Sequence, residues 1–241
     1  MNINKDDEAE DWDASAHNRR TDHEDRMNFI KKVYGILTVQ LAITTASIAA
    51  TKTVPGWNDA MKSPVMGGIG IGLLFVALFI SCAIMCCKSV ARKTPTNYIL
   101  LFVFTACEAF CFSTICAHYP TNDCLTAASM TTAVTLALTY YACTTKSDFT
   151  TCGALFFILG MVMIGLCVAS FFLTFAAWWH PVVSGFIIFL YGLYLVYDTQ
   201  LICGGKKYEL SYDDYIIGAL ILYIDIMMLF IELLKLFGDR N

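Results

Sequence analysis

The sequence predicts an all-α integral membrane protein, a bundle of seven transmembrane helices with its N-terminus in the cytosol. Apolar and aromatic residues fill 57% of the 241 positions and charged residues only 15%, against about 45–50% and about 25% in a soluble domain. The mean hydropathy is +0.60. The apolar residues also come in blocks, not in amphipathic stripes, and each block is about long enough to cross a hydrocarbon core of roughly 30 Å at about 1.5 Å per residue.

Along the chain, residues 1–28 stand apart. They carry nine acids (Asp6, Asp7, Glu8, Glu10, Asp11, Asp13, Asp22, Glu24 and Asp25) against Lys5, Arg19, Arg20 and Arg26. A net-negative segment so poor in aliphatic residues buries too little surface to offset chain entropy, so 1–28 reads as a disordered cytosolic tail ahead of a membrane domain over 29–241. An acidic start lacks the basic-then-apolar order of a signal peptide, and the charge after Arg19-Arg20 argues against a twin-arginine signal.

Seven apolar runs follow, at 33–51, 65–87, 98–119, 124–145, 152–175, 181–203 and 215–237. Lipid offers backbone groups no partners, so runs of this length must be helices. Turn signals separate them: Pro55-Gly56, Pro95 with Asn97, Pro120 with Asn122, Lys146 to Asp148, His180-Pro181 and Gly204-Gly205. The short connections leave no room for a second soluble domain. Twelve of the sixteen Lys and Arg residues fall in the tail and in the loops after the second, fourth and sixth runs. That bias places these segments in the cytosol and, with seven spans, the C-terminus opposite, unless the last run, which carries Asp225, Glu232 and Lys235, is a re-entrant or half-crossing segment. In the second run the Gly68 to Gly72 spacing predicts a close helix contact.

A net charge of −4 excludes a basic nucleic-acid binder. Most of the eleven cysteines lie inside apolar runs and read as small hydrophobes. Cys82 with Cys86, and Cys107 with Cys111, have metal-compatible spacing but no histidine to complete a set, so neither metal nor cofactor is expected. Cys86 and Cys87 occupy a palmitoylation-compatible position at the end of the second run. His118 and His180 flank Tyr119, Trp178 and Trp179 as interfacial belt positions, and His17 and His23 face solvent.

Four carboxylates fall inside the runs: Glu108, Asp198, Asp225 and Glu232. A charge at mid-membrane costs about 2.5–3.5 kcal/mol on insertion scales, so such residues should face the bundle interior and find partners. Asp198 shares a helix face with Ser184, Tyr191 and Tyr194; Asp225 and Glu232 share one with Gly218, Leu222 and Met228. Depth along the helices puts Asp198 roughly 7 Å, and Asp225 and Glu108 each about 15 Å, from the cytosolic ends. The three acids are therefore expected to converge in the cytosolic half. Close carboxylates share a proton, and when ionised they attract a cation such as Ca²⁺. The expected site is a proton-controlled cation site centred on Asp198 and Asp225, with Glu108 and Glu232 supporting, unless Lys235 at i+3 simply neutralises Glu232. Arg92 and Lys93 lie in the cytosolic loop, as topology determinants or as caps on a carboxylate.

The stretch YDTQLICGGKKYELSYDDYIIGALILYIDIMMLFIELLKLFGDRN at 197–241 resembles the C-terminal signature of the transmembrane Bax-inhibitor-motif family, lifeguard branch. VYGILTVQL at 33–41 and ARKTPTNYILLFVFTACEAF at 91–110 agree with it. The resemblance implies a seven-helix bundle in endomembranes (endoplasmic reticulum or Golgi), a pH-sensitive Ca²⁺ leak, and suppression of cell death. By resemblance the family's paired-aspartate sensor maps onto Asp198 and Asp225, the acid of its third helix onto Glu108, and a basic residue that contacts the pair in some members falls near Arg92.

Enzymatic readings fit less well. Intramembrane aspartyl proteases also pair a Tyr-Asp helix with a second aspartate, but in a Gly-x-Gly-Asp turn followed by Pro-Ala-Leu, whereas Asp225 stands in Tyr-Ile-Asp inside continuous helix. Ser184 lacks the glycine two residues before it that a serine version needs. A seven-helix receptor would want its N-terminus outside. The remaining alternative is a non-conducting membrane interaction protein that modulates another channel or an apoptotic regulator through the acidic tail and loop 204–214. The expected partners are thus the lipid bilayer, Ca²⁺ and H⁺, with membrane or apoptotic regulator proteins under the alternative reading.

Overall fold

A computed structural model of the protein describes residues 5–172 and 179–239, without the side chains of 5–20, 167 and 170–172. The described residues form nine α-helices: α1 (Lys5–Thr53), α2 (Trp57–Met61), α3 (Pro64–Cys86), α4 (Lys88–Arg92), α5 (Thr96–Ala117), α6 (Thr121–Thr144), α7 (Gly153–Phe172), α8 (Trp179–Cys203) and α9 (Tyr215–Phe237), with a 3₁₀ turn at Phe149–Cys152 before α7. The acidic side chains Asp6 to Asp13, His17, Arg19 and Arg20, together with residues 173–175 of the fifth expected run and Trp178, lie outside the described residues.

Six helical segments among the described residues are long and apolar enough to cross a membrane: Thr21–Thr53, Pro64–Cys86, Thr96–Ala117, Phe149–Leu166, Trp179–Cys203 and Tyr215–Phe237. The protein is a multi-pass membrane protein. The fourth expected run corresponds to α6, a full-length helix that falls outside these six. Its composition explains why, because threonines recur along it. Thr126, Thr131 and Thr132 each return their hydroxyl to the carbonyl four residues back, so the helix stays intact while its sequence is less apolar.

α9 is the hub. It packs along α8, α6 and α1 and also touches α3, α4 and α5. Leu220, Leu222, Tyr223, Leu229 and Leu234 are sealed inside. At Gly218 the backbones of three helices close in. A Cβ there would meet Val33 of α1 at 3.2 Å and Ile202 of α8 at 3.4 Å, tighter than side chains ordinarily pack. α3 contrasts with it: Leu74, Phe75, Leu78 and Phe79 are exposed on the face that a bilayer would cover. The expected close contact at Gly68 and Gly72 is not made, since nothing lies within 4 Å of a Cβ built at either. Gly70 is the buried glycine instead, against Phe110 of α5.

Hydroxyl pairs hold α1 to its neighbours. Gln40 donates to Thr105 at 2.9 Å, Thr44 and Tyr223 share a hydrogen bond at 2.8 Å, and Ser47 and Ser113 another at 2.8 Å. In apolar surroundings such groups stabilise the bundle only when paired across helices.

The described backbone of the acidic segment is helical from Lys5 and continuous with the first span. Its last turns are tied to the loop after α8. Arg26 bridges Glu209 at 2.7 Å and donates to the Leu210 carbonyl at 2.9 Å, and the Tyr212 hydroxyl bonds Asp22. These tertiary partners supply what composition alone does not.

Candidate functional site

The α8–α9 interface is built by two polar stripes in otherwise apolar helices. On α8, Ser184, Tyr191, Tyr194 and Asp198 recur at helical spacing. On α9, Asp225 is 4% exposed and carries an oxygen, Oδ2, with no hydrogen-bond partner among the described residues. Asp198 is half-buried, and its carboxyl interacts directly with that of Asp225. Tyr194 lies within electrostatic reach of both acids, while its hydroxyl donates to the Phe156 carbonyl of α7 at 2.5 Å. Two acids thus face each other across two helices.

The other expected site residues go elsewhere. Glu108 does not join the pair. It lines a cavity of about 330 Å³ between α3, α5 and α9, together with Tyr223, Met227 and Lys235. Tyr223 and Met227 lie two residues either side of Asp225, roughly 200° around the helix at about 100° per residue. α9 therefore stands between Glu108 and the aspartates. The depths estimated from sequence put the three acids near one level; the azimuth separates them.

Arg92 does not contact the aspartates either. It forms a two-pronged ion pair with Asp214, Nε to Oδ1 at 2.8 Å and a second nitrogen to Oδ2 at 3.0 Å. Asp214 immediately precedes α9, and eleven residues of helix put Asp225 about 16 Å further in. The Asp214 hydrogen bonds raise the Arg92 pKa further, so the pair is a fixed charge clamp on the start of α9. Glu232, expected as a supporting site residue, is 3% exposed and pairs with Lys235 at 2.6 Å, the alternative that its i,i+3 spacing offered.

Gln200, two residues after Asp198, was not singled out by sequence. It is 1% exposed, accepts from the Phe149 amide at 2.9 Å and donates to the Ser147 carbonyl at 3.0 Å. It thereby fixes the loop before α7 to the end of α8. Asp148 completes that junction by accepting from Thr150 and from the Lys207 amide at 3.1 Å. The Thr150 hydrogen bond is the main cause that holds its carboxyl below the usual aspartate range. The only sequence signal for Gln200 was a large amide in an apolar helix, which must find backbone partners when buried.

The family model described as "Inhibitor of apoptosis-promoting Bax1" matches residues 26–241. Human protein lifeguard 3 is 35% identical over 225 residues, covering 91% of this chain and 71% of the relative. Mouse protein lifeguard 3 is 36% identical over 223 residues, 91% and 72% of the two chains. The Golgi anti-apoptotic protein of Vaccinia virus (strain Lister) is 31% identical over 218 residues, 90% and 87% of the two chains.

Proposed function

The chain belongs to the Bax-inhibitor family, with lifeguard proteins among its relatives, and on that premise we propose that it is a proton-controlled Ca²⁺ leak of an endomembrane that restrains cell death. The observation that carries this reading is the meeting of Asp198 and Asp225 across α8 and α9 with one oxygen of Asp225 unpartnered. Two carboxyls so placed share one proton, because both cannot ionise cheaply in poorly solvated surroundings. Gain or loss of that proton changes the force between the two helices. A cation competes with it for the same oxygens. Two carboxylates fall short of the six to eight oxygens, roughly, that a resident Ca²⁺ takes, so the ion passes with water and does not lodge.

In the proposed topology α6 is the seventh span. Its 24 residues reach about 36 Å as helix, and it packs between α8 and α9. The charge bias then sets the N-terminus and loop 204–214 in the cytosol. The name of the viral relative, a Golgi anti-apoptotic protein, supports an endomembrane location and the anti-death role. No enzymatic step is part of this reading.

The second reading, a non-conducting interaction protein, draws on the helical N-terminal extension and on loop 204–214, which meet at Arg26 and Glu209. Ca²⁺ entry into proteoliposomes separates the two. A leak gives flux above empty vesicles, with a pH response that Asp225→Asn removes. Folded, inserted protein without flux establishes the second reading.

A further inference from the structure

A second reactive centre lies where α6 and α8 end. The Sγ atoms of Cys143, one residue before the end of α6, and Cys203, the last residue of α8, are 3.2 Å apart, and both are free thiols. Cys143 is exposed and Cys203 half-buried. Sixty residues separate them in sequence, so the fold, not chain proximity, brings them together. A disulfide needs about 2.05 Å between sulfurs, a closure of little more than 1 Å from this position.

An ion pair borders the two thiols. The Arg26 guanidinium and the Glu209 carboxylate both crowd Gly204, the residue after Cys203, where a Cβ would come within 2.7 Å of each. The guanidinium is held there by Glu209, by the Leu210 carbonyl and by the ring of Tyr212, 4.6 Å from the guanidinium carbon. Gly204 has φ +71°, a left-handed conformation in which glycine is favoured, so the close approach and the turn both require the missing side chain. The arginine is thus matched by a carboxylate, and it is the exposure of Cys143 that admits an oxidant to the pair.

We propose that Cys143 and Cys203 form a peroxide-responsive dithiol that closes to an intramolecular disulfide and staples α6 to α8. The exposed Cys143, as thiolate, attacks one oxygen of hydrogen peroxide. The O–O bond breaks, hydroxide leaves and is protonated to water, and Cys143 becomes a sulfenic acid. The Cys203 sulfur then attacks the Cys143 sulfur, the S–O bond breaks, and the hydroxyl departs as water with the proton from Cys203. Two thiols lose two electrons and one peroxide becomes two waters. The staple joins α8 at a point five residues, about 7 Å of helix, from Asp198. Formation of the bond does not rest on the transport reading; only its consequence for the α8–α9 interface does.

The test is peroxide titration of the reduced full chain in lipid nanodiscs, quenched with N-ethylmaleimide and read by mass spectrometry of the digest. The expected product is a Cys143–Cys203 linked peptide within one chain, formed ahead of any other cysteine oxidation and reversed by dithiothreitol. Cys203→Ser leaves Cys143 as a sulfenic acid that dimedone traps. Retention of both maleimide labels, oxidation of each thiol separately in the wild type, or linkage only between chains would each overturn the proposal.

Discussion

The molecule treats charge in two ways, and the α8–α9 interface and the loop-side face of the bundle show the difference. On the loop side every featured charge is matched: Arg92 grips Asp214, Arg26 grips Glu209, and Asp148 accepts from Thr150 and the Lys207 amide. Between α8 and α9 two acids meet, and among the described residues one of their oxygens has no hydrogen-bond partner. Matched charges fix a loop at modest gain, since exposed pairs are screened. Unmatched buried acids cost stability and persist where a proton or ion is to be exchanged. Glu232 marks the boundary between the two classes, as deeply buried as Asp225 yet matched by Lys235.

Breaking the comparison at its polar support should have the largest effect on stability. Gln200→Leu keeps the bulk of the side chain but strands the Phe149 amide, so we expect a loss of about 2–3 kcal/mol, read as thermal unfolding in detergent. Gly218→Val drives methyl groups into Val33 and Ile202 and should cost about 1–3 kcal/mol by overpacking. Lys235→Met moves Glu232 into the unmatched class. Because Lys235 is about half exposed, the cost should be about 1 kcal/mol, below the 3–5 kcal/mol of a fully buried pair. If Lys235→Met also gives the protein a new pH-dependent step in stability, the distinction between matched and unmatched acids is sharpened.

The smallest effect belongs to Asp148. Its folded pKa is depressed, so its contribution is present above the unfolded aspartate pKa and is lost as pH falls through the lower folded value. Hydrogen exchange at the Thr150 and Lys207 amides should therefore stay slow down to the ordinary aspartate range and quicken only below it. Asp148→Asn should remove that acid-side change.

Much of this was legible in the residues because membrane insertion imposes a simple rule: long apolar runs are helices. The last expected run, 215–237, is α9 to the residue, and Asp198 and Asp225 meet as their stripes imply. What the sequence left open was rotation about the helix axes. Depth can be counted from a helix end, but whether Glu108 sees Asp225 or the opposite side of α9 depends on packing around a helix that is apolar on nearly every face. The same ambiguity hid the choice of Gly70 over Gly68 and Gly72. Arg92 was assigned by a resemblance in register, while Asp214, an acid just before α9 on the same loop-side face, was the nearer partner. The ties of Arg26 and Asp22 to a loop some 180–190 residues away are likewise announced by no local composition.

The central claim is that Asp198 and Asp225 act as one unit. Its most direct test is Ca²⁺ flux into proteoliposomes between about pH 5.5 and pH 8, a range that covers titration of a coupled buried acid pair, for wild type, Asp198→Asn, Asp225→Asn and the double variant. Residues that share one proton are non-additive. The account predicts that each single substitution abolishes the pH dependence and that the double variant behaves like either single. A pH dependence that survives in both single variants would contradict it.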